Sequence, residues 1–255
     1  MAATESEDFV RAFARGLGVI EAMGAGGPRK TIAQVAEATG LPRSVVRRLM
    51  MTLCAQRFAQ TDGKLFSLTP RALKLGLSYL DSLPFWRYAQ PALEDLRSEV
   101  HESCSMAVLD DGDIVYVLRV PSRRILAMNL SVGSRLPANL VSLGRVLLAD
   151  LDEDALRRYL DTTSLAPRTP GSISKRAALR AKLDVVRRRG YAWVDGELDP
   201  AICGIAVPVR DGGGTVVAAI NVSLTAGTFD EMAARRRFLV PLRQAAEQIR
   251  VATPA

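Results

Sequence analysis

The sequence predicts an α+β protein: an N-terminal winged helix-turn-helix, followed by a larger domain in which helices flank an antiparallel sheet. Three observations lead to this fold class. Two helical segments are separated by a three-residue turn, a hairpin signal follows them, and beyond about residue 103 the apolar spacing changes from helical to strand-like. The length of 255 residues fits two domains of ordinary size.

The N-terminal segment carries the start and stop signals of three helices. The first helix breaks at residues 24–28 (GAGGP), and in the next one Thr31 is a capping residue and Gly40 a left-handed stop. Pro42 then occupies the first position of a third helix, where its missing N–H costs nothing. The first helix has one apolar stripe with a 4-4-3 spacing, formed by Phe9, Phe13, Leu17 and Ile20.

The third helical segment, residues 42–53, divides into an apolar half and a basic half on a helical wheel. Asp62-Gly63 then predicts a tight two-residue hairpin turn with Lys64 at its tip, which would be the wing. A recognition helix presents such a basic half to the major groove. That half contains Arg43, Ser44, Arg47, Arg48, Met51 and Thr52.

The positive charge of the chain is concentrated in this same region. Nine lysines and arginines against two acidic residues lie between residues 29 and 74, an excess that equals the net charge of +7 for the whole chain. Such a local excess indicates a module that binds double-stranded DNA. The alternative is a protein-interaction module whose surface arginines have no partner.

The sequence-based domain division is 6–69 for the winged helix-turn-helix, 70–83 for a linker helix and 84–253 for the second domain. In that domain, strand-like runs surround Asp111-Gly112 and the glycines at 212–214, and residues 124–132 (RILAMNLSV) predict a third strand. Antiparallel hairpins separated by helices indicate an α+β domain. Sheets of this kind commonly bind a small molecule on one face.

Other classes of function have weak support in the sequence. Three widely spaced cysteines and a single histidine predict neither a disulfide framework nor a metal site, and no motif indicates a cofactor. An enzyme that uses Cys104 and His101 remains an alternative, without a third group to orient the pair. No apolar run reaches the roughly 18 residues that a membrane span needs, and the N-terminus lacks a secretory signal, so we expect a cytoplasmic protein with no membrane partner.

The order of these parts resembles the IclR family of bacterial transcriptional regulators, over about residues 10–250. The resemblance rests on ARGLGVIEAM, TIAQVAEATGLPRSVVRRLMMTL, FSLTPRALKLGLSYL, DIVYVLRV, SVGSRLPANLVSLGRVLLADL, RGYAWVDGELDPAICGIAVPV and VVAAINVS. VHES and VPSRRI are similar to the subgroup that regulates protocatechuate and 4-hydroxybenzoate catabolism. The resemblance implies a GAF-like effector domain, dimers formed by the DNA-binding halves, and often tetramers as dimers of dimers.

The resemblance also implies roles for individual residues. Operator DNA would be contacted by Arg43, Ser44, Arg47 and Arg48, with Thr31, Thr52 and Lys64 in support. The effector would lie beside the helix start in NLVSLGR, next to two strands. The residues that this placement selects are Arg119, Met128, Leu130, Ser142, Leu143, Gly144, Asp195, Ile202, Gly204, Asn221 and Ser223.

A helix N-terminus near Ser142 would suit an organic carboxylate, because its N–H groups are unpaired. Candidate counter-ions are Arg119, Arg123 and Arg135, and plain surface exposure is the alternative for each. The chain departs from the family pattern at Cys203-Gly204, where an arginine followed by serine or cysteine is usual, and at Leu140-Val141. These departures leave the identity of the effector open.

The sequence therefore predicts a homo-oligomeric transcription regulator whose operator binding responds to a small, aromatic carboxylate. Two alternatives stay open at this stage: an enzyme built on the second domain, and a DNA-binding protein that needs no effector.

Overall fold

The structure, a computed structural model, describes residues 8–122 and 130–252. The chain divides into two compact units between Ser82 and Leu83, and each unit has its own hydrophobic core. Residues 70–83, the linker helix of the sequence-based division, belong almost entirely to the first unit. Within the described ranges, no helix combines the length and the apolar character needed to cross a bilayer.

The first unit contains three helices, a two-stranded hairpin and a further helix. Their bounds are α1 (Arg11–Gly24), α2 (Ile32–Thr39), α3 (Arg43–Ala55), β1 (Ala59–Thr61), β2 (Phe66–Leu68), a 3-10 turn (Pro70–Ala72) and α4 (Leu73–Ser82). β1 and β2 are antiparallel, and an isolated bridge joins Lys30 to Phe66 beside them. This arrangement confirms the predicted winged helix-turn-helix.

The predicted helix signals of this unit act as expected. The Thr31 hydroxyl accepts a hydrogen bond from the Gln34 amide at 3.3 Å, while the Gln34 side chain accepts one from the Thr31 amide at 2.9 Å, which completes a capping box. Gly40 ends α2 with a left-handed φ of 68°. Pro42 lies just before α3 rather than inside it, so the helix begins one residue later than predicted.

The apolar stripe of α1 faces solvent instead of the core. Val19 and Met23 are the buried residues of this helix, whereas Phe9, Phe13 and Leu17 are 48%, 68% and 44% exposed. Periodicity identified the stripe but could not show which face of α1 packs on the core. In the structure, the core of the unit uses the adjacent face of the helix. Among the residues that the structure describes, nothing covers these three side chains, while Ile20 is half-buried.

The wing differs from its predicted turn. Thr61 pairs with Phe66, so the loop between the strands has four residues (62–65) and not two. The Asp62 side chain accepts hydrogen bonds from the amides of Lys64 and Leu65, at 3.0 and 2.8 Å, and these bonds stabilise the longer loop. They also lower the pKa of Asp62, with a smaller contribution from the charge of Arg29.

The second unit is a six-stranded sheet with helices. Its elements are α5 (Trp86–Val100), β3 (Ser103–Asp110), β4 (Asp113–Val120), β5 (Arg135–Pro137), a 3-10 turn (Ala138–Leu140), α6 (Ser142–Asp150), α7 (Glu153–Thr162), α8 (Arg176–Arg189), β6 (Ala192–Asp195), β7 (Ile202–Arg210), β8 (Val216–Thr225) and α9 (Glu231–Ala252). The strand order is β5-β4-β3-β8-β7-β6, and every neighbouring pair is antiparallel.

The sheet is covered by helices on both faces, which confirms the α+β class. α6, α7 and α8 form a core with one face, to which the strands contribute Ala107, Ala206 and Ala219. α5 and α9 pack together against β3, β7 and β8 outside that core. Strand residues alternate between the two faces, so each strand supplies side chains to both layers.

One predicted strand falls mostly on residues that the structure does not describe, and two short strands were not predicted. Most of residues 124–132, the predicted third strand, lies outside the described residues, and residues 130–132 are not in a strand. Among the described residues, β5 forms the edge of the sheet beside β4, and its three residues are too few to show a periodicity. The short strand β6 was also missed. The predicted turn at Asp111-Gly112 is confirmed, with φ values of 46° and 87° and with Asp110 paired to Asp113.

Candidate functional site

The exposed face of α3 is basic. Arg43, Ser44, Arg47 and Arg48 are all exposed, while Val46 and Met50 on the other face are fully buried. None of the three arginines forms an ion pair within the described ranges, although the nearby Arg29 is paired with Asp62 at 2.8 Å. α3 therefore offers three uncompensated guanidinium groups in its first two turns, supported by an apolar underside.

The supporting residues of this face have different environments. The Thr31 hydroxyl is used in the capping box, and the Thr52 hydroxyl donates a hydrogen bond to the Arg48 carbonyl of its own helix at 2.9 Å. Lys64 is exposed on the wing loop. Lys30, which contributed to the basic count, donates from Nζ to the Ala22 carbonyl at 2.5 Å and so caps the end of α1 rather than facing solvent freely.

A cleft opens on the α6 side of the sheet in the second unit. Its polar side chains are Ser142, Asn221 and Ser223, and its empty space, including the open mouth, is about 510 Å³. Concave sites with apolar walls and a few polar groups are the usual form of small-molecule sites. The remaining lining residues are Tyr116, Leu130, Leu136, Leu140, Val141, Val194, Leu198, Ile202, Cys203 and Gly204.

A row of polar residues crosses the sheet next to this cleft. Arg119 on β4 is opposite Ser105 on β3, and Ser105 is opposite Asn221 on β8. Arg119 donates from Nη1 to the Ser105 hydroxyl at 3.2 Å, and Asn221 donates from Nδ2 to the Ser223 hydroxyl at 3.1 Å. Ser105, Asn221 and Ser223 are all buried, although interior sheet positions normally carry apolar residues.

The start of α6 lies beside this row. Ser142 is the first residue of the helix, and the preceding Val141 provides no side-chain cap, so no side chain of the cap position satisfies the first N–H groups. A Cβ added to Gly204 on β7 would lie 3.1 Å from the Ser142 hydroxyl and 3.6 Å from Asn221 Nδ2. The missing side chain of Gly204 thus leaves the helix start open to the polar row.

Six of the predicted effector residues line the cleft together: Leu130, Ser142, Ile202, Gly204, Asn221 and Ser223. Arg119 lies in the polar row but is not among the lining residues. Leu143 is in the core, and Gly144 packs so closely on Ala138 that an added Cβ would be 2.1 Å from its carbonyl oxygen. Asp195 is exposed at the end of β6, and Met128 lies outside the described residues.

Arg135, another candidate counter-ion, is not among the residues that line the cleft. Arg135 pairs with Asp110 and with Asp113, and the hydrogen bond that it donates to the Asp110 carboxylate raises the pKa of Arg135. Because both carboxylates are on the surface, Arg135 forms surface ion pairs. This agrees with the alternative interpretation of Arg135 as an exposed residue without a ligand contact. Arg123 lies outside the described residues.

Sequence reasoning missed a buried ion pair behind the cleft. Arg145 of α6 is 1% exposed and donates to Glu197 Oε2 at 2.6 Å and to the Asn139 carbonyl at 2.7 Å. Burial lowers the pKa of Arg145, and the charge of Glu197 opposes that shift. The sequence feature that could have indicated this ion pair is the single arginine within the apolar run VSLGRVLLA. Its partner Glu197 could not be identified in the same way, because it is 52 residues away in sequence.

The pair that an enzyme would use is not assembled. His101 is an exposed helix C-cap with a φ of 61°, while Cys104 is buried and its Sγ donates to the Glu102 carbonyl at 3.6 Å. Burial raises the pKa of Cys104 to about 12, with a further contribution from Glu102. An activated nucleophile needs a lowered pKa. The described residues also contain no cluster of three or more histidine, cysteine or acidic side chains that could hold a metal ion.

Comparison with known proteins gives a consistent result. The profile of the IclR helix-turn-helix domain matches residues 12–63, and that of the bacterial transcriptional regulator IclR C-terminal domain matches residues 77–251. The chain is 40% identical over 247 residues to the Pca regulon regulatory protein of Pseudomonas putida, covering 96% of this chain and 85% of that protein. It is 34% identical over 221 residues to the p-hydroxybenzoate hydroxylase transcriptional activator of Acinetobacter baylyi, covering 85% and 82%.

The fold is also that of a solved structure, an IclR homologue from Microbacterium hydrocarbonoxydans crystallised with 4-hydroxybenzoate. The TM-score is 0.84 at 24% identity, over 95% of this chain and 98% of that one. At this level of identity the similarity establishes the architecture of the chain. The proteins that this chain resembles are transcriptional regulators and not enzymes, which removes the alternative based on Cys104 and His101.

Proposed function

This chain belongs to the IclR family of bacterial transcriptional regulators, and we propose that a small aromatic carboxylate binds the cleft of its second unit and thereby changes its affinity for operator DNA. The observation that carries the proposal is the buried polar row beside the start of α6. Buried polar groups are costly unless they have partners. Unpaired N–H groups at a helix start and the nearby Arg119 favour an anionic ligand.

The aromatic character is supported by the apolar walls of the cleft and by the relatives. One relative is named as an activator of p-hydroxybenzoate hydroxylase expression, and one protein of the same fold was crystallised with 4-hydroxybenzoate. Tyr116, Leu136 and Ile202 provide the apolar contacts that a ring would need. The ligand would bind better in one dimer geometry than in another, and that difference would alter the spacing of the two winged modules.

The test is a titration of the full chain with 4-hydroxybenzoate and protocatechuate. DNA fragments that the protein selects from its source genome would serve as operator. We expect each active acid to raise the thermal midpoint of the second unit and to change operator affinity in parallel. If neither quantity changes with any aromatic acid, an effector-independent DNA-binding protein becomes the better interpretation.

For DNA binding, we assign contacts with the operator to Arg43, Ser44, Arg47 and Arg48, with Thr31, Thr52 and Lys64 in support. Replacing Arg47 by alanine should weaken operator binding by about 1 to 3 kcal/mol if the side chain contacts a base edge. Arg188→Ala is the matched control, because it removes a charge that is also exposed, from the other unit. Equal losses in the two variants would contradict the assignment.

Self-association is proposed through the exposed apolar residues of the first unit. Phe13 on α1 is 68% exposed, and on α4 Leu73, Leu75 and Leu77 are each about half exposed or more. Exposed apolar patches of this kind mark protein interfaces. In analytical ultracentrifugation, Phe13→Ser should shift the protein towards the monomer, whereas Val240→Ser on α9 should leave dimers intact. The same experiment tests the predicted tetramers, which would sediment faster than dimers.

A further inference from the structure

One polar atom of the cleft has no partner. Asn221 is only 5% exposed, and its Nδ2 is used in the bond to Ser223, but its Oδ1 has no hydrogen-bond partner among the residues that the structure describes. Native proteins satisfy nearly all buried acceptors, so an exception calls for a cause. The amide belongs to a residue that lines the cleft, which suggests that the missing partner is a ligand.

The neighbours of Asn221 have their hydrogen bonds directed elsewhere. Ser105, opposite on β3, accepts from Arg119, and Ser223 accepts from the Asn221 amide itself. On the other side, Asn221 is paired with Ala206, and Gly204 next to it has no side chain. Each serine hydroxyl keeps a proton of its own, but in the described part of the chain neither is in hydrogen-bonding geometry with Asn221 Oδ1, and the cleft is open beside it.

A carboxylate cannot be the missing partner, because both groups are acceptors and would repel each other. The carboxylate of the proposed effector is expected at the start of α6, where no side chain of the cap position satisfies the first N–H groups. A second group of the same ligand, a hydroxyl, can donate to Oδ1. We therefore propose that Asn221 is a specificity-determining residue that selects a hydroxylated carboxylic acid over the same acid without the hydroxyl; this inference rests on the proposed function of the cleft.

The size of the selectivity follows from the cost of leaving a buried acceptor unpaired. That cost corresponds to a preference of about 5-fold to 150-fold for the ligand that supplies the donor. The probes are benzoate and its 2-, 3- and 4-hydroxy derivatives, with dissociation constants measured by calorimetry on the full chain. In the wild type, we expect the tightest-binding hydroxybenzoate to have a dissociation constant lower than that of benzoate by a factor within this range. In Asn221→Leu, we expect most of this difference in affinity to be lost.

A second measurement tests the role of Asn221 without any ligand. A second buried asparagine, Asn139, uses its Oδ1 to accept from the Tyr159 hydroxyl at 3.4 Å and its backbone carbonyl oxygen to accept from Arg145. If the Asn221 carbonyl waits for a ligand, Asn221→Leu should leave the thermal midpoint of the unliganded protein unchanged or higher. Asn139→Leu, the matched control, should lower it.

The outcomes separate the two proposals. If the hydroxyl preference is the same in the wild type and in Asn221→Leu, or if Asn221→Leu lowers the unliganded midpoint by more than about 4 °C, the assignment of Asn221 is overturned. If no acid binds the wild type, the aromatic carboxylate proposal fails on its own, and the midpoint comparison still decides whether Asn221 is structural.

Discussion

The buried pair of Arg145 and Glu197 should be the most sensitive polar contact in the second unit. The guanidinium is almost fully enclosed, and Glu197 Oε2 also accepts from the Ile173 amide at 3.2 Å. One nitrogen, Arg145 Nη1, already has no partner in the described part of the chain. The pair joins α6, which begins with Ser142, to the loop that carries Leu198, and both of these residues line the cleft.

Glu197→Ala would leave the Arg145 charge buried and uncompensated. Breaking a buried pair by removing one partner costs about 3 to 5 kcal/mol. For a unit of this size, each kcal/mol changes the thermal midpoint by roughly 2 to 4 °C, so we expect a fall of roughly 6 to 20 °C. Replacing both residues, in Arg145→Met with Glu197→Leu, should recover much of this loss because no charge is left to bury.

The assay is differential scanning calorimetry of the full chain, with the transition of the second unit followed in each variant. Glu153→Ala is the matched control, because it removes the carboxylate of an exposed pair with Arg180 at 2.5 Å, and solvent screens such pairs. We expect little change in that control. If the thermal midpoint of Glu197→Ala falls no further than that of Glu153→Ala, the reasoning that the unpaired buried charge destabilises the unit is refuted.

Three further results are expected from the same structure. Gly144→Ala should destabilise the second unit strongly in calorimetry, because the new Cβ would lie 2.1 Å from a backbone oxygen; a stable variant would show that α6 can move away. Gly204→Ala should instead weaken ligand binding in calorimetric titration while operator binding persists, because the added methyl would fill space at the start of α6. The free energy of unfolding should fall as the pH rises from about 9 to 12. Burial raises the pKa of four groups to about 12 in the folded chain, whereas in the unfolded chain they release their protons near pH 9 and 10. These groups are Cys104, Cys203, Tyr116 and Tyr159. A midpoint that is constant from pH 8 to 11 would contradict this last expectation.

Features set by local chemistry were predictable from the sequence. The cap at Thr31, the stop at Gly40 and the turn at Asp111-Gly112 depend on residues that are neighbours in the chain, and all three are confirmed. The division of α3 into a basic and an apolar face is of the same kind. The wing loop was misjudged because the Asp62 side chain adds hydrogen bonds that favour a four-residue loop over the two-residue turn.

Features set by distant contacts were not predictable in this way. Which way the α1 stripe faces depends on what packs against it, and the described residues of the first unit leave Phe9, Phe13 and Leu17 exposed. The edge strands β5 and β6 are three and four residues long, so they owe their existence to the longer strands beside them rather than to a pattern of their own. The family resemblance supplied what periodicity lacked, namely the positions at which separate segments meet.

The cleft illustrates where even the resemblance reaches its limit. Transferring a short motif as a block selected Ser142 together with Leu143 and Gly144, but successive helical residues point in directions about 100° apart, so a single face cannot hold all three. Ser142 lines the cleft, whereas Leu143 fills the core and Gly144 permits the contact with Ala138. A helix can therefore contribute to ligand binding, packing and backbone contact within one turn. The role of Gly144 is set by the 3-10 turn just before α6, whereas that of Ser142 depends on β7 and β8, which begin 60 or more residues after it in the chain.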